Sequence, residues 1–196
     1  MKNQPEIYVS IDIEADGPIP GPHSMLSLGA VALDAEGTEL GSWYANFDLL
    51  EGAQAHPDTQ KFWAEHQKYY DLTRTWCQTP TEAMTHFVEW VEALPGRPVA
   101  VAAPAGFDFT WVYWYMMRFV GRSAFSFSCV DMRTVSMCVL NRPYTETTKR
   151  HWPRHWFHPT VKHSHHAEED AREQGYSFVA MLRDLRQQHS VRDINN

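Results

Sequence analysis

The sequence predicts an α/β domain with a mixed sheet, a three-strand antiparallel meander plus a parallel βαβ half, flanked by helices. Three observations lead there. Strand-like segments come first and in succession, the later ones alternate with helical segments, and 43% hydrophobic with 13% aromatic residues is the composition of a packed core. A chain of 196 residues fits one domain, so residues 1–196 are expected to share one core.

Ile7 to Ile13 is rich in β-branched and apolar side chains and runs into acids, the pattern of a buried strand delivering Asp12 and Glu14 near its end. The following DGPIPGP is a turn. Met25–Leu33 and Glu39–Phe47 are two further strands joined by a short polar loop at 34–37, as in a hairpin. Asp58–Tyr70 and Thr81–Leu94 have helical spacing, the second closed by Pro95-Gly96. Pro98–Ala103 is a continuous apolar run suited to a sheet interior, and it leads through Pro104-Ala105-Gly106 into a helix from about Phe107 to Val120. Phe125–Cys129 reads as another strand, Met132–Leu140 as a helix, and a last helix runs from near His166 to about Gln188.

Between them lies an arm, 141–165, without regular pattern. A connection of that length inside a domain is uncommon unless it has a function. Between Asn141 and His166 it carries Arg142, Lys149, Arg150, Arg154 and Lys162 against one acid, Glu146, with Tyr144, Trp152, Trp156 and Phe157 interleaved. On a chain of formal charge -7 this is a local basic, aromatic segment, and Arg150, Arg154, Trp156 and Lys162 are the candidates for contacting a nucleic acid. The arm's histidines, among them His151, His155, His158 and His163, also allow a zinc reading, a weak one without a nearby cysteine.

Three widely spaced cysteines with no CxxC pair point to reduced thiols rather than a disulfide framework. The N-terminus lacks a signal-like apolar run and no stretch approaches the roughly 18 apolar residues of a membrane span, so a cytoplasmic protein is expected. The helix from Phe107 is apolar almost all round. Core packing is the better account, and a homodimer covering part of it is the alternative.

Asp12 and Glu14 are two positions apart on a strand and therefore share a face. Adjacent carboxylates repel, and burying them costs more unless a cation neutralises them, which favours a hard metal site over an acidic strand end. Asp108 falls in the first turn of a helix leaving the sheet, where taken alone it reads as an acid answering the helix dipole. His165 stands at the start of the last helix and Asp170 in its second turn, while Glu168, Glu169, Arg172 and Glu173 read as that helix's solvated face.

Together, D12-I-E14, G-F-D108 and H165-H-A-E-E-D170 resemble the ordered motifs of the DEDDh branch of the DnaQ-like 3′-5′ exonucleases, spread over nearly the whole chain. The nearest subgroup is that of the mycobacterial-type 3′-5′ exoribonuclease, whose last motif also carries Asp-Ala followed by Glu-Gln-Gly. The resemblance implies a ribonuclease H-like fold and two Mg²⁺ or Mn²⁺ ions held by Asp12, Glu14, Asp108 and Asp170. It implies His165 as general base, and 3′ ends of single-stranded RNA or DNA, RNA favoured, as substrates releasing 5′-mononucleotides. Two ions about 4 Å apart stabilise the attacking and leaving oxygens of an in-line displacement. Pro104 replaces the Asn that the family often has four residues before the Asp of the second motif, which leaves Asp131 as an alternative acid to Asp108. Two other readings are a binding module that keeps the fold without turnover, and a phosphodiesterase acting on short oligonucleotides.

Overall fold

The computed structural model describes residues 4–161 and 164–194. Among the described residues, five strands form one sheet in the order β3-β2-β1-β4-β5. β1 (Glu6–Ala15), β2 (Met25–Leu33) and β3 (Glu39–Asn46) are the antiparallel meander, and β4 (Arg97–Ala102) and β5 (Val130–Asp131) run parallel to β1. The helices are α1 (Pro57–Glu65), α2 (Gln67–Thr73), α3 (Pro80–Glu92), α4 (Ala105–Phe119), α5 (Met132–Leu140) and α6 (Ala167–Ile194).

The central strand β1 explains the layers. Its odd-numbered residues Ile7, Val9, Ile11 and Ile13 pack with Ala30, Ala32, Phe87, Val91, Trp111 and Tyr115 into the core beneath α3 and α4. Its even-numbered residues face α6, and toward the strand's end they turn polar: Ser10, Asp12, Glu14. Alternation therefore splits one strand into an apolar face that anchors it and a polar face that serves a site. Gly29 and Gly175 let α6 come close. A Cβ on Gly29 would stand 2.2 Å from the backbone of Ala167 and Glu168, and one on Gly175 2.5 Å from Leu33 Cδ1.

Some boundaries differ from the sequence reading. The helix expected over 58–70 breaks into α1 and α2 at His66, whose φ of -122° and ψ of 32° lie off helical values. The strand expected over 125–129 begins only at Val130. The arm is folded rather than loose: short 3₁₀ turns at Tyr144–Glu146, Lys149–His151 and Arg154–Trp156 seat Trp152 and Trp156 in a cluster with Val101, Met132, Phe178 and Met181. Among the described residues no helix is long and apolar enough to cross a membrane.

Candidate active site

The end of β1 and the starts of α4 and α6 meet at one place. Asp12 and Glu14 project toward α6 from the polar face of β1. Asp108, in the first turn of α4, is buried at 4% exposure, and its Oδ1 accepts the Ile13 backbone N–H at 3.2 Å. That bond fixes its carboxylate beside the backbone between the other two acids. Asp170, one turn into α6, is buried at 1%; its two oxygens accept the backbone N–H groups of Ser164 at 2.8 Å and His165 at 3.1 Å. The carboxylate thus shapes the turn that presents His165, which sits in the left-handed region at φ 57°.

A ligand atom from each of Glu14, His165 and Asp170 lies within 4.8 Å of the other two. The His165 ring is edged by Phe62, His66 and Tyr69, with centroids 5.7, 5.0 and 5.6 Å away, so α1 and α2 form the wall that holds the imidazole. Nothing in the sequence pattern pointed to these three residues, because their contact with His165 is made across about 100 residues of chain.

Burial pushes the carboxyl groups of Asp12, Glu14 and Asp108 up. Asp12 is held well above the usual carboxylate range by desolvation, then by the charges of Asp108, Glu14 and Asp170. Glu14 rises to about 8 by desolvation, then by Asp170 and Asp108. Asp108 rises to about 7 by desolvation, against the pull of the Ile13 N–H and of Lys149. Carboxylates that resist ionisation because they are buried, and in the case of Asp12 and Glu14 also crowded by other carboxylates, call for a cation. The donor set, carboxylate oxygens with one imidazole, is hard and fits Mg²⁺ or Mn²⁺.

Two neighbours of the acids were not among the candidate site residues. Gln174, buried at 2%, donates from Nε2 to Asp12 Oδ1 at 2.5 Å. Lys149 of the arm donates to Glu173 Oε2 at 2.6 Å, and its charge eases the ionisation of both Asp12 and Asp108. Glu173 is therefore buried and paired, not part of the solvated face expected for it. The spacing of Glu173 and Gln174 from Asp170, one turn along α6, was the available signal.

The arm residues separate. Arg150 is exposed beside Lys149, whereas Lys162 and His163 lie outside the described residues. Trp156, expected to face nucleic acid, is 1% exposed and its Nε1 donates to Asp184 Oδ2 at 2.8 Å, so its ring is core and not a stacking surface. Because Asp184 stands nearly four turns along α6 from Asp170, roughly 20 Å, Arg154, exposed at that end, is remote from the acids. Among the described residues the arm's histidines do not come together as a metal-holding group: His151 pairs with Thr148, His155 with Asp184, and His158 with Thr160 while stacking on Tyr176. Asp131, the alternative acid, caps α5 through Thr134 N and accepts the Ala105 N–H at 2.9 Å, so its oxygens hold backbone instead.

No family model matches the chain. Over 138 residues it is 28% identical to the 3′-5′ DNA exonuclease Cap18 of Escherichia coli, covering 69% of this chain and 70% of that protein. The nuclease domain of 3′hExo, a DEDDh family member bound to rAMP, superposes with a TM-score of 0.68 at 12% identity, covering 92% of this chain and 93% of the other. The E. coli ExoI–ssDNA complex in its zinc-bound form gives 0.64 at 13% identity over 94% of this chain, which spans 41% of that longer one. The chain is thus similar in sequence to a 3′-5′ DNA exonuclease and shares the fold of the nuclease domain of a DEDDh family member.

Proposed function

We propose that the chain hydrolyses the terminal phosphodiester at the 3′ end of single-stranded DNA, releasing 5′-mononucleotides. The observation that carries this reading is the convergence of four carboxylates from β1, α4 and α6 with His165, in a setting where burial raises Asp12, Glu14 and Asp108 and neighbouring carboxylates raise Asp12 and Glu14 further. Asp12, Glu14, Asp108 and Asp170 would hold two Mg²⁺ or Mn²⁺ ions, which when bound supply Lewis acidity toward the phosphate and an activated water.

The chain's own residues do the rest. His165, held by the Phe62, His66 and Tyr69 rings and by its backbone N–H bond to Asp170, lies beside Glu14 and Asp170 and takes the proton of the attacking water. Gln174 fixes the orientation of Asp12 through Oδ1, leaving its other oxygen for a cation. Lys149, anchored by Glu173 and placed to act on Asp12 and Asp108, adds positive charge where a phosphate would lie. Arg150, next to it and exposed, is a contact for the strand.

The choice of sugar rests on likeness. The motif pattern favours RNA, whereas the relative with 28% identity is a DNA exonuclease and the likeness extends over two thirds of both chains; the broader likeness supports DNA as the substrate proposed here. The experiment offers matched single-stranded DNA and RNA, labelled at either end, with Mg²⁺ and with Mn²⁺. Shortening from the 3′ end of DNA at a faster rate than RNA is expected. Intact substrates with both metals, or equal behaviour of the parent and Asp12→Ala, reject the enzyme reading; tight binding without turnover indicates a binding module.

A further inference from the structure

A second aromatic site lies on the same sheet face as the acids. Tyr44 of β3 is in register with Gly29 of β2, which is in register with Asp12 of β1, and Asn46 is likewise in register with Ser27 and Glu14. Tyr44 and Asn46 are therefore two strand spacings, about 10 Å, from the acids and on their face. Gly29 leaves room for the start of α6, and His166, next to His165, stacks on the Tyr44 ring at 4.4 Å and 22°.

Against this stack opens a hollow of about 260 Å³, lined by Tyr44, Asn46, Thr75, Trp76, Gln78 and His166. Trp76 is 94% exposed. Leaving an indole in water forfeits most of the burial that makes Trp useful in a core. Its backbone is held at φ 50° by a turn that Asn46 secures, donating to Leu72 O at 2.9 Å and Thr75 O at 2.7 Å, so the main chain is fixed where Trp76 lines the hollow. Gln78 offers a half-buried amide at the edge, and Lys68, on the same helix as the Tyr69 that meets His165, adds a cation over the Tyr69 ring.

We infer that Trp76 and the Tyr44–His166 stack form a shelf for an unpaired nucleobase of the substrate strand, about two to three nucleotides upstream of the scissile phosphate. The inference rests on the exonuclease reading. At about 3.4 Å per stacked nucleotide, 10 Å corresponds to that offset. The occupant follows from continuity: the histidine that completes the stack is adjacent in sequence to the one at the acids, and π-faces with an amide edge suit any base.

The test compares Michaelis constants of the parent, Trp76→Ala and Trp76→Phe on a single-stranded octanucleotide and a dinucleotide. In Trp76→Ala the ratio of octanucleotide to dinucleotide KM rises about 10-fold, within the range of one lost stacking contact, and Trp76→Phe stays near the parent. A single abasic residue walked back from the 3′ end costs the parent the same factor at the third and fourth positions and costs Trp76→Ala nothing further. An unchanged ratio, or a parent indifferent to the abasic position, overturns the shelf. Should the parent degrade no oligonucleotide, the nuclease reading fails separately. Equilibrium binding of a 5′-labelled octanucleotide in EDTA then reads the shelf alone: Trp76→Ala weakens it about 10-fold if the shelf exists and leaves it unchanged if not.

Discussion

Neutralising Asp108 should stabilise the metal-free protein while abolishing its activity. In the unfolded chain this carboxyl ionises near its ordinary value of about 3.8, whereas in the folded protein burial pushes it up to about 7. The folded state therefore holds a proton that the unfolded state has released. Stability falls as pH rises between those two values, and the penalty is complete above the higher one. A shift of about 3 units at ~1.4 kcal/mol each gives an upper bound of about 4 kcal/mol. Protons shared with Asp12 and Glu14 spread the effect, so about 2 kcal/mol is the expected gain for Asp108→Asn at pH 8, or roughly 4–8 °C in Tm for a chain of this size. The Asn oxygen can still accept the Ile13 N–H, so the fold keeps its bond. Thermal unfolding in EDTA at pH 5.5 and pH 8 reads the difference, and it should widen with pH. With Mg²⁺ the order reverses, because only the parent retains the full ligand set. A variant less stable than the parent at pH 8 in EDTA, or a difference that ignores pH, would refute the argument that burial charges this site against itself.

Three further outcomes are expected. Gly29→Ala forces a Cβ to within 2.2 Å of the Ala167–Glu168 backbone, so it should cost about 1–3 kcal/mol in denaturant unfolding and lower activity by displacing His165 and Asp170; full activity at unchanged stability would contradict it. Lys149→Met strands Glu173, which is buried at 6%, and should lower stability by about 2 kcal/mol because Lys149 itself is partly solvated; the double change with Glu173→Gln should recover most of that loss in a thermal melt. Gln174→Leu removes the donor to Asp12 and should raise the Mg²⁺ concentration for half-maximal activity about 10–100-fold, a metal titration that shows no change counting against the role.

The sequence determined much of this protein. The strand order of the meander, the βαβ half and the placement of Asp12, Glu14, Asp108, His165 and Asp170 at element ends were legible, because periodicity and turn chemistry are local properties that short windows carry. A split helix at His66 was not, since both halves keep helical spacing and only backbone angles distinguish them. The basic, aromatic arm was visible as composition, but its fate was not. Whether Trp156 faces solvent or core depends on Asp184 and Phe178, which only α6 brings beside it, and the same packing sends Arg154 away from the acids and Lys149 toward them. Trp76 is the converse case: one Trp among eight in the sequence, set apart only by its exposure. Sequence fixes which side chains a strand or helix can offer and on which face. Which of those faces meets another is a long-range matter of close packing, decided here by two glycines that let α6 settle on the polar half of β1.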